Sequence, residues 1–186
     1  MTDDWADELR ARRAEKDDFF AEHPQSPIPP GERASFDGLD YYPPDPDYRV
    51  EATAHRHDEP DPVELETSAG PPVRYLRVAT LAFDLPGAPD RELAALRQER
   101  DDDRTLFVPF ADATAGEATY DGGRYLELVP DREPGDGEAI VVDFNLAYTP
   151  FCAFSETFSC PYPPEENRLD VAIEAGERVR ADEFGN

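Results

Sequence analysis

The chain has 186 residues, of which 43 are acidic and 18 are basic, so its formal net charge at pH 7 is −25. This length suits one domain of ordinary size. The negative charge argues against nucleic acid or an anionic membrane surface as a partner, because both would be repelled. No apolar run reaches the roughly 18 residues of a transmembrane helix, and the acidic N-terminus is unlike a secretory signal. We expect a soluble, cytoplasmic protein.

The charge pattern also indicates the solvent for which the protein is built. Its carboxylates are dispersed along the chain, and Lys16 is the only lysine. This composition is typical of the salt-rich cytoplasm of halophilic archaea. At molar salt the Debye length falls to roughly 3 Å, which screens most of the repulsion between carboxylates. We therefore expect the fold to require high salt; an ordinary acidic protein is the alternative.

The first 22 residues predict a helix. Thr2 can cap its N-terminus, and the acidic residues at positions 3, 4 and 7 suit the positive end of the helix dipole. Its apolar residues form one narrow stripe, which indicates a helix laid against a sheet. The stripe consists of Trp5, Leu9, Phe19 and Phe20. The predicted helix ends before Pro24.

The rest of the chain, residues 23–186, predicts β-structure. Its prolines, 20 in the whole chain, fall in clusters that leave little room for long helices. Short alternating runs predict strands at 48–55, 62–68, 73–85, 105–110, 124–129, 139–145 and 170–175. The segment 92–100 has helical propensity but lies among hairpins, so we predict a strand there too. Turns are predicted at 85–90, 121–123 and 134–138. The predicted fold class is mainly β (α+β at most), a single antiparallel barrel- or roll-like domain with an N-terminal helix at 1–22.

The region from 107 to 178 carries the most specific sequence signal. It contains VPFADATAGEATYDGGRYLEL at 108–128 and VVDFNLAYTPFCAFSETFSCPYPPEENRLDVAIEAGER at 141–178. These strings resemble the motifs of the uncharacterised family known as domain of unknown function 1684, and residues 26–50 resemble its N-terminal part. Thr149 stands where the family usually has Asn, and Tyr162 where Leu is common; any chemistry of that Asn is in doubt here. The resemblance implies no activity, so function is argued from the residues.

The two cysteines leave three interpretations open. Cys152 and Cys160 are separated by seven residues, a spacing of neither a CxxC redox pair nor a zinc knuckle. They can be buried thiols packed among phenylalanines, a disulfide or redox pair, or reactive or metal-binding thiolates. His55 and His57 lie on one strand face, but an exposed strand end is the favoured interpretation. We predict no metal and no cofactor.

The sequence DGGR at 121–124 has two interpretations. Its glycines can present backbone amides and a guanidinium to an anion, or they can form a tight turn that requires positive φ. The turn is favoured, and it still allows Arg124 to point into a pocket. Tyr120 and Glu117 belong to the same predicted hairpin.

The densest set of polar residues begins where the strand at 139–145 ends. Asp143 and Asn145 share one strand face there. A carboxylate at the end of a buried strand has either a raised pKa or an arginine partner, and Arg124 and Arg168 are the candidates. The set continues along the chain with Tyr148, Cys152, Asn167, Arg168, Glu174 and Glu177. The alternative is a structural network that pins the proline-rich loop 150–167 onto the sheet.

Two functional hypotheses follow. In the first, a pocket between the sheet and the 150–167 loop binds an anionic small molecule through Arg124, with Asp143 as acid or base and Cys152 as the weaker nucleophile. Asp143, Arg124 and Cys152 should then border one cavity. The further ligand-binding residues of this hypothesis are Glu117, Tyr120, Asn145, Tyr148, Asn167 and Glu174. In the second, the protein is a non-catalytic binding or interaction module whose polar cluster is structural. The motifs of the familiar enzyme classes are absent, and whether the protein is an enzyme stays open.

Overall fold

One helix precedes a chain of antiparallel strands. The computed structural model describes residues 2–99 and 104–179. Helix α1 spans Thr2–Glu22. The strands are β1 Asp40–Tyr41, β2 Arg49–Leu65, β3 Val73–Leu85, β4 Ala88–Arg97, β5 Leu106–Phe110, β6 Arg124–Leu128, β7 Glu138–Asp143 and β8 Glu177–Arg178. Short 3-10 turns lie at Arg33–Ser35, Pro46–Tyr48, Phe144–Leu146, Phe151–Ala153 and Glu165–Asn167.

Six strands form a curled half-barrel. Their order is β6-β5-β4-β3-β2-β7, and every neighbouring pair is antiparallel. Strands β6 and β7 are therefore the two edges of the sheet. Strands β1 and β8 pair separately. This architecture confirms the predicted mainly β fold with an N-terminal helix.

Both faces of the central strands are buried. In β4, Leu93 and Ala95 belong to the cluster inside the curl, whereas Ala94 and Leu96 belong to a second cluster on the outer face. Successive side chains of a strand point to opposite faces, so a strand buried on both sides loses its polar alternation. This explains why the segment 92–100 shows no polar alternation although β4 is a strand.

The β3–β4 hairpin is confirmed, but β2 differs from its prediction. Leu85 pairs with Ala88 across the two-residue turn Pro86–Gly87. Two separate strands were predicted at 48–55 and 62–68, whereas β2 runs continuously through both prolines, Pro60 and Pro62. The register with β3 shifts between Arg56 and Asp61, and Pro60 lies within this irregularity, where a strand tolerates proline.

Two other sequence predictions are wrong. The segment 134–138 is not a hairpin turn between neighbours, because β6 and β7 lie at opposite edges and the connection must cross the sheet. Its Gly137 donates a backbone hydrogen bond to Ala54 of β2 instead. The segment 170–175 is not a strand. The carbonyls of Ile173 and Ala175 accept hydrogen bonds from Arg124 rather than from another strand.

Helix α1 lies against the half-barrel. Its Leu9 and Phe20 are buried, and the Phe20 ring contacts Phe151 and Phe154 edge-on. Lys16 forms an ion pair with Glu177 of β8, with 2.5 Å between Nζ and Oε2. These contacts place the helix on the 150–167 loop and on β8, and Trp5 adds a contact with Asp143 of β7. Within residues 2–99 and 104–179, no helix has both the length and the apolar character needed to cross a membrane.

Candidate functional site

Arg124 lies at the centre of the most buried polar cluster. Its side chain has no exposed surface and donates to three backbone carbonyls of one segment, those of Ile173, Ala175 and Glu177. Its Nη2 also lies 3.5 Å from Oδ1 of Asp112, which is itself buried. Burial lowers the pKa of Arg124, and Asp112 acts in the opposite direction. The guanidinium is thus committed to internal acceptors.

Asp112 is the partner that the sequence did not single out. Its carboxylate accepts hydrogen bonds from Thr114 Oγ1 and from the backbone N–H of Ile173. The Thr114 hydroxyl in turn contacts the Thr119 hydroxyl at 2.9 Å. Arg124 was a predicted partner of Asp143. This prediction is wrong, because Arg124 pairs with Asp112 instead. The usable signal was the string DATAGEAT at 112–119, which places Asp112 and both threonines within one motif.

The DGGR sequence forms the favoured turn. Gly123 has φ +90°, and a Cβ atom there would lie 2.5 Å from the Phe110 carbonyl oxygen. The backbone therefore requires glycine for both conformation and space. Tyr120 accepts the Gly123 N–H through its carbonyl, and Arg124 follows directly into the core.

Asn167 fills a gap in the sheet. Its amide donates to the carbonyls of Ala94 and Pro109, and its Oδ1 accepts the N–H of Ala94 at 2.7 Å. Pro109 has no N–H to give to strand β4, so the amide of Asn167 links β4 to β5 where the ladder is interrupted. Asn167 has no exposed surface.

Asp143 and Asn145 come together as predicted from the strand pattern, but in a structural turn. Oδ1 of Asp143 accepts from the backbone N–H and the side-chain amide of Asn145. Oδ2 accepts from the indole Nε1 of Trp5 at 3.1 Å and lies 3.7 Å from Nε of Arg49. Asn145 also exchanges two hydrogen bonds with the backbone of Asp45. The carboxylate is thus fully engaged in joining α1, β2 and β7.

A groove of about 610 Å³ lies beside Asp143, where the two edges of the half-barrel approach each other. At one end of this opening, Tyr125 of β6 and Tyr148 exchange two backbone hydrogen bonds. Beyond this bridge the edges separate, and helix α1 flanks the gap. We call the resulting depression the seam groove. Its lining residues are Trp5, Glu8, Leu9, Arg12, Arg49, 127–131, 139–141, Asp143 and Leu146.

The seam groove gathers the exposed apolar side chains of the molecule. Among the described residues, three large hydrophobic side chains are exposed: Val129 at 72%, Val141 at 47% and Leu146 at 41%. All three border the groove. Arg12 and Arg49 border it as well, and their side chains are exposed. An apolar surface beside two guanidinium groups is unusual in a chain with a net charge of −25.

A smaller cavity of about 420 Å³ lies near the 150–167 loop, where the ligand pocket was predicted. Tyr148 and Pro161 border it, together with the aromatic rings of Tyr75, Phe107 and Tyr125. The guanidinium at this cavity, that of Arg97, forms two hydrogen bonds with Glu133. Arg124 and Asp143 do not line it. The three residues expected to share one cavity are therefore separated.

Cys152 and Cys160 are free thiols and half-buried. The Tyr120 hydroxyl lies 3.8 Å from Sγ of Cys152. A hydrogen bond from Cys160, helped by the hydroxyls of Ser68 and Tyr120, lowers the pKa of Cys152 to about 6. The same hydrogen bond and burial raise the pKa of Cys160. The structure thus brings together Tyr120 and Cys152 of the predicted set.

The remaining predicted residues lie apart. Glu117 and Glu174 are exposed. Tyr148 donates to Glu127 at 2.8 Å, and its ring lies 4.8 Å from Nζ of Lys16. In β2, His57 contacts the Thr80 hydroxyl through Nε2. The described part of the chain contains no group of three or more His, Cys, Asp or Glu side chains placed to hold a metal ion.

The comparisons with known proteins agree with this architecture. The solution NMR structure of an uncharacterised protein of Haloarcula marismortui is 62% identical, covers 96% of both chains and has a TM-score of 0.76. A family model described as "Protein of unknown function (DUF1684)" matches residues 34–178. The chain belongs to this family. Its similarity to a Haloarcula protein confirms the predicted haloarchaeal type of DUF1684 member. No curated protein matches it.

The DUF1684 match includes the buried polar cluster but not helix α1. Asp112, Arg124 and the cysteines lie inside residues 34–178, whereas Trp5 and Arg12 of the seam groove precede them. The helical wall of the groove is therefore outside the matched segment.

Proposed function

We propose that the protein binds an amphipathic small molecule with an acidic head group in the seam groove, and that its buried polar cluster is structural rather than catalytic. The observation that carries the proposal is the convergence of the three exposed apolar side chains, Val129, Val141 and Leu146, on one depression. Exposed apolar surface that is concentrated in a groove is typical of binding sites. Burying it beneath an alkyl chain would be favourable by about 25 cal/mol for each Å² covered.

The free hydrogen-bonding groups support an acidic head. Within the described residues, the Arg12 side chain has no hydrogen bond or ion pair, and Arg49 has only its Nε near Asp143. A guanidinium binds a carboxylate through two parallel hydrogen bonds. Two of the four acid groups of the groove are already engaged: Asp143 accepts from three donor groups, and Glu127 accepts from Tyr148.

Salt determines whether such a ligand can approach. Glu8 and Asp131 also border the groove and are exposed, so they repel an anion in dilute buffer. At molar salt the Debye length of roughly 3 Å removes this repulsion beyond direct contact. Direct ion pairs between the ligand and Arg12 or Arg49 then remain. High salt strengthens apolar burial only when the anion of the added salt is strongly hydrated.

Octanoate is a suitable probe, because it combines an eight-carbon chain with one carboxylate. Trp5 is the only tryptophan and lines the groove, so its fluorescence reports occupancy directly. In molar KCl we expect octanoate to change this fluorescence saturably. Octylammonium, which has the same chain and the opposite charge, should bind at least about tenfold more weakly if the head group pairs with arginine.

Matched variants test the head-group contacts. Arg12→Gln and Arg49→Gln should each weaken octanoate binding several-fold. Arg10→Gln is the control for the helix, because Arg10 pairs with Asp7 and does not border the groove. Arg74→Gln is the control for the sheet, because Arg74 pairs with Glu99. Equal affinity for both probes, or equal loss in the control variants, would contradict the proposal.

A further inference from the structure

Cys152 and Cys160 form a second chemical site, away from the seam groove. The Tyr120 hydroxyl lies 3.8 Å from Sγ of Cys152, a hydrogen bond with Cys160 lowers the pKa of Cys152, and neither cysteine lines the groove. Both are half-buried, so small reagents can reach them. The Tyr120 and Ser68 hydroxyls also hydrogen-bond to Cys152. These donors stabilise a sulfur that carries negative charge, and the thiolate is the nucleophilic form of cysteine.

The loop between the cysteines is already closed by other contacts. The rings of Phe151 and Phe158 meet edge-to-face with their centroids 5.4 Å apart. Ser68 accepts the N–H of Cys160 at 3.1 Å and donates its own N–H to the Cys160 carbonyl. The two ends of the segment 152–160 are thus held together before any covalent bond forms. A disulfide between Cys152 and Cys160 would close the same segment that the Phe151–Phe158 contact already closes.

We propose that Cys152 is an oxidisable site for hydroperoxides and that Cys160 resolves the oxidised form into a disulfide. The Cys152 thiolate attacks the terminal peroxide oxygen, so an S–O bond forms, the O–O bond breaks and the alcohol leaves with a proton. The Cys160 sulfur then attacks the sulfenic sulfur, so the S–S bond forms and water leaves. Two thiols and one hydroperoxide give one disulfide, one alcohol and one water. The thiols supply both electrons.

The hydrogen-bonding pattern assigns the two roles. The Tyr120 hydroxyl lies 3.8 Å from Sγ of Cys152 and can donate to it, and the hydrogen bond between the two thiols lowers the pKa of Cys152 and raises that of Cys160. Cys152 is therefore the attacking sulfur and Cys160 the resolving sulfur. Disulfides in cytosolic proteins, when present, are usually transient and redox-sensing.

The test uses the reduced protein in molar KCl with hydrogen peroxide or cumene hydroperoxide. We expect both thiols to be lost together, the intact mass to fall by two hydrogen atoms, and dithiothreitol to restore the thiols. Cys160→Ser should stop at a sulfenic acid that dimedone traps. Cys152→Ser should react with the hydroperoxide at no more than about one tenth of the original rate, because the remaining thiol lacks the stabilising donors.

A pH profile keeps the proposal testable even if a variant does not fold. Iodoacetamide should modify Cys152 of the unaltered protein with a midpoint near pH 6, and mass mapping should find Cys160 modified later. Tyr120→Phe should raise that midpoint, because it removes one hydrogen bond to the sulfur. Inert thiols, faster reaction at Cys160, or oxidation without an intramolecular disulfide would overturn the proposal.

Discussion

A guanidinium without solvent needs acceptors for its donors. The Nη1 and Nη2 groups of Arg124 have them in Asp112 and in three carbonyls of residues 173–177, whereas its Nε has none. Removing one partner of a buried ion pair leaves the other charge uncompensated, which is far more costly than the pair is worth. This is why a residue that sequence analysis selected for ligand binding acts as a structural support. Its burial, rather than its charge, decides the role.

Arg124→Met should therefore lower the free energy of unfolding by about 3–5 kcal/mol. Arg168→Met, which removes the same charge from an exposed side chain, should change it by less than about 0.5 kcal/mol. Equilibrium denaturation in molar KCl measures both. The double variant Asp112→Leu/Arg124→Met should lose much less than the sum of the single changes. Additive losses would show that the two groups do not interact.

We expect the buried Glu177 to make the free energy of unfolding depend on pH. Burial raises the pKa of Glu177, and the ion pair with Lys16 opposes this shift. A carboxyl group with a raised pKa in the folded state takes up a proton on folding. Its contribution to stability is therefore present below its unfolded pKa and is lost as the pH rises through the folded pKa.

We expect Glu177→Gln to gain stability relative to the unaltered protein as the pH rises from about 5 to about 8, since the amide carries no charge to bury. Each unit by which the pKa is raised corresponds to about 1.4 kcal/mol. Denaturation curves at several pH values measure the difference. Glu174→Gln, at an exposed neighbour, is the control. A difference that falls with pH would mean that the Lys16 pair dominates.

At the scale of elements, the turn before β6 depends on close packing as well as on conformation. Gly123 and Gly137 both have positive φ, +90° and +80°, but only Gly123 has neighbours where a Cβ atom would lie. Alanine at positive φ costs about 1–2 kcal/mol. A clash with the Phe110 carbonyl adds to this cost at Gly123.

Gly137→Ala should therefore lower the free energy of unfolding by about 1 kcal/mol, and Gly123→Ala by about 1–3 kcal/mol more. Because both substitutions add the same methyl group at a left-handed position, their difference measures the close approach alone. Thermal and chemical denaturation provide the comparison. Equal losses would place the cost in the backbone conformation and not in the contact with β5.

The elements also show how far the sequence determines the fold. Alternation located β3, β5, β6 and β7, each of which pairs with a neighbouring strand. It misassigned 170–175, because the carbonyls there bind a side chain from a distant strand. No local pattern reveals such an acceptor set. Similarly, nothing in the sequence selects Asp112 among 43 acidic residues as the partner of Arg124, except its place in the family motif.

The sequence likewise predicts one part of the candidate site and not the other. Asp143 and Asn145 were predicted on one face, and they contact each other. The seam groove was not predicted, because it arises from the separation of β6 and β7, which are joined by a connection across the sheet. Val129 and Val141 look like ordinary strand residues until the open edge exposes them.

For the whole molecule, net charge sets the solvent in which the fold is stable. The excess of carboxylates repels itself at low ionic strength. Arginine pairs relieve this only locally, as in the two parallel hydrogen bonds between Arg132 and Glu138, which lower the pKa of Glu138 to about 2. We expect screening by salt to supply the rest.

We expect the melting temperature, followed by far-UV circular dichroism, to rise steeply between about 0.1 M and about 2 M KCl, because the Debye length falls from about 10 Å to about 3 Å or less. A variant with five exposed carboxylates replaced by their amides should depend less on salt. Suitable positions are Asp18, Glu22, Asp58, Glu59 and Glu156. Identical melting in both salts would remove the requirement for salt.

The acceptors of Arg124 come from residues 49 to 53 positions further along the chain. During synthesis, strand β6 leaves the ribosome well before these carbonyls do. A nascent chain that has reached residue 170 can curl its strands but would have to bury Arg124 with Asp112 as its partner and without the three carbonyl acceptors. We expect stalled chains of this length to stay sensitive to protease and to become resistant once residues 173–179 have emerged. The last segment made would then be the one that permits the interior to close.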